Sequence, residues 1–193
     1  HMAQDILKQT ERVNRIVESL MHFSHSGART SEATLRSINL ADCIDEAIHL
    51  LSLDRETKPA HFDNRCDREL LVVADSQRLL QVAINLLSNA RDARTDGADV
   101  RILARADDKR VLIDIEDNGC GIPAEQQNQI FEPFFTTKDP GEGTGLGLAL
   151  VFSIMEDMNG RVSLTSPLVD GPYPGTRFTL QLPRGRYDID YDL

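Results

Sequence analysis

The sequence has no tryptophan and only three cysteines, Cys43, Cys66 and Cys120, which are odd in number and form no Cys-x-x-Cys pair. A disulfide framework and a zinc ribbon are thereby excluded, and the thiols read as buried or incidental ones in a reducing compartment. Long apolar runs are missing too: nothing approaches the ~20 residues that cross a bilayer, and no signal peptide opens the chain. The expected location is cytoplasmic. Because His1-Met2 resembles a cloning scar before an internal start, a membrane-anchored parent stays compatible with the sequence. Basic residues are outnumbered, 21 Lys and Arg against 31 Asp and Glu, and they form no run. The net charge of −10 repels polyanions, so no nucleic-acid partner is expected. A G-x-x-x-x-G-K-[ST] loop is also lacking, and any nucleotide has to be held in another way.

What is present is ordinary globular composition, 40% hydrophobic and 27% charged over 193 residues, enough for one domain with a short appendage. From Gln4 to His25 there is no Gly or Pro, and Ile6, Val13 and Leu20 in one row with Ile16 and Phe23 in the next recur at heptad spacing. That predicts an amphipathic helix seeking a bundle partner, followed by a linker over Ser24–Thr34. Next come a strand over Leu35–Leu40, a helix over Ala41–Leu53, and short strands near Ala60–Cys66 and Leu70–Ala74. A strong helix is predicted from Asp75, its N-cap, to Arg94. Val100–Ala106 and Val111–Asp117 alternate with period two around Asp107-Asp108-Lys109, which predicts a hairpin. A Gly-rich region, Gly119–Gly147, contains a short helix beginning at Pro123. A helix over Leu146–Met158 and a strand pair, Arg161–Thr165 and Thr176–Leu182, close the chain. The mixed order points to an α+β fold, a two-layer sandwich with helices on one face of a mixed sheet. The divisions expected are a bundle helix at 3–26, a linker at 27–34, the domain at 35–183 and a frayed tail at 184–193.

Chemistry concentrates in four places. In the helix after Asp75, Gln81, Asn85 and Asn89 stack at i, i+4, i+8 beside an apolar face. Half-buried amides need partners, and a hard Mg²⁺ ion accepts carboxamide oxygens without adding negative charge beside a triphosphate; a solvated polar face is the competing reading. In the strand Val111–Asp117, period two puts Asp117 on the buried side with Val111, Ile113 and Ile115. A carboxylate there accepts from an exocyclic amine and repels a carbonyl, which suits adenine over guanine. Gly119 and Gly121 then let a ligand lie against the backbone. Gly119–Ala124 also satisfies a loose dinucleotide-binding fingerprint, but the Asp-Asn pair before it and Pro123 within it suit a Rossmann turn poorly. Finally, Gly141, Gly143, Gly145 and Gly147 run into an apolar helix, so backbone N–H groups can converge on phosphate, with Lys138 within reach of a terminal one. Phe131, Phe134 and Phe135 anchor one end of a lid and Leu146 and Leu148 the other, leaving the middle to order with nucleotide.

Taken in order, Asn85-Leu-Leu-Ser-Asn89-Ala, Asp117-Asn-Gly119-Cys-Gly121-Ile-Pro123, Phe131-Glu-Pro-Phe-Phe-Thr-Thr-Lys138 and Gly143-Thr-Gly145-Leu-Gly147-Leu resemble the N, G1, F and G2 boxes of sensor histidine kinases. Gly175-Thr176-Arg-Phe178 resembles the closing strand motif, and the subgroup most similar is the nitrogen-regulation sensor type. The resemblance implies a Bergerat-type sandwich that binds ATP with Mg²⁺ under a lid. It further implies phosphoryl transfer to a histidine on the parent kinase's phosphoacceptor helix, in a homodimer, and thence to the receiver domain of a response regulator. Asn89 is then implied on the metal and Asn85 beside it, Asp117 on adenine, and Lys138 with the Gly143–Gly147 amides on the phosphates, Asn85 and Lys138 being the catalytic pair. The wider nucleotide-contacting set implied is Asp92, Gly119, Gly121, Ile122, Phe131, Thr136, Thr137, Thr144, Leu146, Leu148 and Thr176. Val13–Leu20 is similar to the second helix of that family's dimerisation hairpin. No histidine is followed by an acidic residue: His22, His25, His49 and His61 precede Phe23, Ser26, Leu50 and Phe62. Self-labelling is therefore not expected. The main competitors are an ATP-hydrolysing machine of the gyrase, chaperone or mismatch-repair kind, in which the position of Asn85 resembles that of a basic Glu, and a nucleotide-binding module without transfer.

Overall fold

The computed structural model describes residues 33–53, 58–138 and 143–186. The bundle helix expected at 3–26 with His22 and His25, most of the 27–34 linker, residues 139–142 of the expected lid and residues 187–193 of the expected tail lie outside the described residues.

Strand β1 (Arg36–Asn39) leads directly into α1 (Leu40–Ser52) because Asn39 is in extended conformation and its Oδ1 accepts from Asp42 N at 3.0 Å, an N-cap that ends the strand and opens the helix. Helical spacing puts Leu40, Cys43, Ile44 and Ala47 on one buried face. Strands β2 (Ala60–Asn64) and β3 (Leu71–Ala74) follow, and Asp75 caps α2 (Ser76–Asp92) as expected. Asp75 Oδ1 accepts from Gln77 N and Arg78 N, both at 3.1 Å, while its Oδ2 accepts from Thr34 N at 3.1 Å. The hairpin of β4 (Ala98–Ala106) and β5 (Arg110–Asp117) turns at Asp107, whose Oδ1 accepts from Lys109 N and Arg110 N, both at 2.8 Å. Helix α3 (Gly147–Asp157), β6 (Arg161–Thr165) and β7 (Thr176–Pro183) complete the order.

Five strands form one mixed sheet in the order β2-β4-β5-β7-β6, with β2 parallel to β4 and the other pairs antiparallel; β1 and β3 pair separately. Alternation decides the layers. Val100 and Ile102, Val111, Ile113 and Ile115, and Phe178, Leu180 and Leu182 face the buried side, where they meet Leu79, Val82, Ala83 and Leu86 of α2 and Val151, Ile154 and Met155 of α3. The outer face is polar and laced across strands: Glu116 lies between Arg101 and Arg177, and Asp114 accepts from Arg105 and from Thr179 Oγ1, the latter at 2.6 Å. The two-layer sandwich expected from the sequence is present.

Two local expectations need correction. No helix begins at Pro123: the segment holds successive i→i+3 bonds, Gln126 N to Pro123 O, Gln129 N to Gln126 O and Glu132 N to Gln129 O, which make turns and do not propagate as an α-helix. The tail is not frayed from residue 184, because Arg184 bridges Val72, Gly185 N donates to Leu71 O at 2.9 Å and Arg186 N to Ser37 Oγ at 3.2 Å. Among the described residues no helix is long and apolar enough to cross a membrane.

Candidate nucleotide site

Asp117 ends β5 on its buried face, 8% exposed and opposite Thr176 of β7, itself 3% exposed. Its Oδ1 accepts from Gly119 N at 2.8 Å. Burial pushes the Asp117 carboxyl up to about 6, although the backbone N–H groups of Gly119 and Thr176 pull it back. The loop after it lies flat against α2: Cys120 N donates to Ala93 O at 3.1 Å, and a Cβ on Gly119 would stand 2.4 Å from Ala93 Cβ. Gly121 and Ile122 are half-buried in the same loop, and Ile122 N donates to Ser166 Oγ at 2.9 Å.

Along α2, Gln81, Asn85 and Asn89 are half-buried on the face next to the core stripe. Asn85 Nδ2 donates back to Gln81 O at 2.9 Å, and its carbonyl oxygen faces α3, where a Cβ on Gly147 would sit 2.8 Å from it. The carboxamide therefore stands against the N-terminus of α3, where Leu146 provides no side-chain cap. Uncapped first-turn N–H groups beside carboxamides make an anion and hard-cation environment, not a hydrophobic contact. Asn89 makes no side-chain hydrogen bond to another described residue.

The lid region is fastened at its base. Phe134 N donates to Gly145 O at 2.8 Å, and the approach is so close that a Cβ on Gly145, whose φ is 66°, would lie 2.4 Å from Phe134 C. Phe131 packs against Phe152 and edge-on against Phe178, with ring centroids 5.8 and 6.4 Å apart, and Phe135 joins the core. Phe134 does not anchor the lid as expected: it is 64% exposed with φ 69°, because the Gly145 contact turns its backbone outward. Leu146 is buried and Leu148 half-buried at the other end. Thr136 Oγ1 accepts from Lys138 N and Thr144 Oγ1 from Leu146 N, while Thr137 is exposed and Gly143 half-buried. Lys138 Nζ donates to Asp92 Oδ2 at 2.5 Å, and Asp92 Oδ1 lies 3.5 Å from Arg91 Nε. Asp92 thus sits between two cations at the C-terminal end of the amide helix.

Sequence reasoning missed Ser166 and Gln127. Gln127 Nε2 donates to Ile122 O at 2.9 Å and to Ser166 O at 2.8 Å, locking the Gly119–Ile122 loop onto the β6–β7 connection. The 44-residue separation of Ser166 from Ile122 leaves no local signal for it. A cavity of about 360 Å³ opens against the outer sheet face beside the same strand end, lined by His61, Asp63, Asp99, Arg101, Glu116 and Leu168 and reaching Asp117 and Asn118. Its carboxylates repel a polyphosphate, so it is no rival to the glycine-lined side.

A buried carboxylate at a strand end, facing a helix layer with an amide row and an uncapped helix N-terminus, offers hydrogen-bonding groups suited to a nucleotide and has neither a Rossmann turn nor a P-loop. Residues 74–186 match the histidine kinase-, DNA gyrase B-, and HSP90-like ATPases, and the chain belongs to this family. Within it the similarity runs to sensor kinases. The chain is 34% identical to the sensor histidine kinase ZraS of Salmonella typhimurium over 184 residues, 94% of this chain and 37% of ZraS. It is 35% identical to the signal transduction histidine-protein kinase AtoS of Escherichia coli strain K12 over 180 residues, 92% of this chain and 28% of AtoS. The mycobacterial sensor histidine kinase MprB superposes with a TM-score of 0.69 at 25% identity, covering 78% of this chain and 99% of the MprB chain. Full-length ShkA in complex with AMPPNP gives 0.74 at 26% identity, covering 89% of this chain and 35% of ShkA. The chain thus spans little more than a third of the length of ZraS, and it carries the ATP-binding catalytic domain of that kind of kinase.

Proposed function

We propose that this chain is the phosphoryl-donating part of a two-component sensor kinase: it binds ATP with Mg²⁺ and presents the γ-phosphoryl group to a histidine on a phosphoacceptor helix, from which it passes to a response-regulator aspartate. The observation that carries this reading is the carbonyl oxygen of Asn85 set against the uncapped N-terminus of α3. Asn89 would hold the metal with Asn85 beside it, and the metal would supply charge neutralisation on the phosphates. The donor set fits. It offers neutral oxygens on a rigid helix, and among the described residues no group of His, Cys, Asp or Glu competes as a metal cluster. Asp117 accepts the adenine amine, the glycine amides and Lys138 take the phosphates, and the Phe131 and Phe135 contacts hold the lid base so that closure excludes water.

Transfer to histidine is favoured over hydrolysis because Asn85 has no carboxylate with which to activate water. The histidine kinase ThkA, 26% identical with a TM-score of 0.68, has been solved in complex with the response regulator protein TrrA, which supports a receiver domain as the partner class; homodimerisation of the parent belongs to the same reading. Calorimetry with Asn89→Ala tests the metal assignment. MgATP affinity should fall about tenfold or more while metal-free ATP changes little, as expected for losing one hard ligand. Equal losses with and without Mg²⁺ would move the metal away from Asn89.

A further inference from the structure

Ser166 collects three hydrogen bonds through one hydroxyl. Its Oγ accepts from Ile122 N at 2.9 Å, donates to Gly175 O at 2.9 Å, and lies 3.3 Å from Thr176 Oγ1. A hydroxyl owns one proton and two lone pairs. The Gly175 carbonyl can only accept and the Ile122 N–H can only donate, so the Ser166 proton and one lone pair are committed. The remaining lone pair can only accept, and Thr176 therefore has to be the donor. With its single proton held by Ser166, Thr176 Oγ1 turns only lone pairs toward its surroundings.

This orientation matters because of where Thr176 stands. It is the ladder partner of Asp117, so both side chains share the buried face of the sheet at the same strand ends. The Ser166–Gly175 bond also presses the neighbouring backbone onto Asp117: a Cβ on Gly175 would be 2.4 Å from Asp117 O. The strand ends consequently show a base two acceptors, a carboxylate and a hydroxyl lone pair. A ring amine can satisfy both, whereas a ring carbonyl meets repulsion at both.

We propose that Ser166 is a positioning residue for base recognition, fixing the Thr176 hydroxyl as an acceptor beside Asp117 so that the two together select the exocyclic amine of adenine. The inference rests on the assignment of Asp117 to adenine. It adds a residue from a different loop and a direction for each hydrogen bond.

The test compares two ligands that differ only at the amine: ATP, and purine riboside 5′-triphosphate, which carries hydrogen in place of the 6-amino group. Both affinities are measured by calorimetry with Mg²⁺ on this chain. Wild-type protein should prefer ATP, and Ser166→Ala, which frees the Thr176 rotor, should narrow that preference about five- to tenfold while the amine-free analogue loses less. A purely structural Ser166 would weaken both ligands alike and leave the ratio unchanged, which overturns the inference. Thr176→Val, which removes the acceptor at constant shape, serves as the second variant: a narrowed ratio supports the proposal even where Ser166→Ala fails to fold, and an unchanged one refutes it. Wild-type protein that binds both ligands equally would overturn the Asp117 assignment and this inference with it.

Discussion

Replacing Asp117 with asparagine should strengthen the empty protein and weaken the loaded one, and both effects should depend on pH. Burial raises the carboxyl from 3.8 to about 6. A folded-state value above the unfolded one means that the stabilising contribution is complete below 3.8, is lost as pH rises toward 6, and is absent above it. The gap corresponds to roughly 3 kcal/mol at 1.36 kcal/mol per pH unit, borne by the ionised carboxylate at neutral pH. Asparagine keeps an oxygen for Gly119 N and never ionises. Empty Asp117→Asn should therefore exceed wild type by about 1–3 kcal/mol at pH 7.5, a melting rise of roughly 2–10 °C, with the difference fading toward pH 4. Binding runs the other way. Loss of the charged acceptor should weaken ATP by about 1–3 kcal/mol at pH 7.5. At pH 5 a carboxyl titrating near 6 is about nine-tenths protonated, so the wild-type advantage over Asp117→Asn should shrink about tenfold. Because the γ-phosphate titrates in the same range, the ratio of the two proteins at each pH is the quantity to follow, by thermal melting without ligand and by calorimetry with MgATP. A ratio that is flat from pH 5 to 7.5, or an empty variant less stable than wild type at pH 7.5, would refute the account of Asp117 as a buried, ionisable adenine partner.

Lys138→Ala should weaken ATP more than ADP by about two- to tenfold, the range of one charge-assisted contact to a terminal phosphate; identical losses would remove Lys138 from that role. In native protein iodoacetamide should add to Cys120 alone, since Cys120 is exposed whereas burial pushes the Cys43 and Cys66 thiols up to about 12 and about 11. MgATP should slow that reaction, and modification of all three thiols before unfolding, or no protection by nucleotide, would contradict the placement of Cys120 at the site. Arg91 is 8% exposed, and its Nε and Nη1 have no hydrogen-bond partner among the described residues. Arg91→Met, similar in volume without the buried donors, should raise unfolding free energy by about 1–3 kcal/mol in urea titrations; a loss of stability would show that the contacts to Ser88 and Asp92 outweigh desolvation.

The layers of this fold were legible because they follow from short-range rules. Period two placed Asp117 in the row of Val111, Ile113 and Ile115, Asp75 announced the start of α2 by its capping chemistry, and Asp107 marked the hairpin. The amide row was visible as a helical spacing. What stayed hidden depends on contacts between distant segments. The parallel pairing of β2 with β4, the bond of Lys138 to Asp92 across 46 positions, and the hub at Ser166 have no local signature. Phe134 was misjudged because hydrophobicity alone suggested burial, whereas the backbone contact with Gly145 decided where the ring goes. After Pro123, helix-forming residues end in turns because the Gln127 side chain is tied to Ile122 and Ser166.

Asp75 divides its carboxylate between two neighbours, one oxygen closing the first turn of α2 and the other holding Thr34 where the chain enters the domain. Arg186 N reaches Ser37 Oγ on β1, so the exit strand is tied to the entry strand next door. A tug or twist arriving along the entering polypeptide would thus load the root of the helix that carries Asn85 and Asn89, with little compliant material in between. Asp117 is held besides through its pairing with β7, where Thr176 donates to Ser166. Mechanical input from the N-terminal side would therefore enter α2 at its first turn, and the same helix meets the loop after Asp117 at its other end, where Cys120 N donates to Ala93 O.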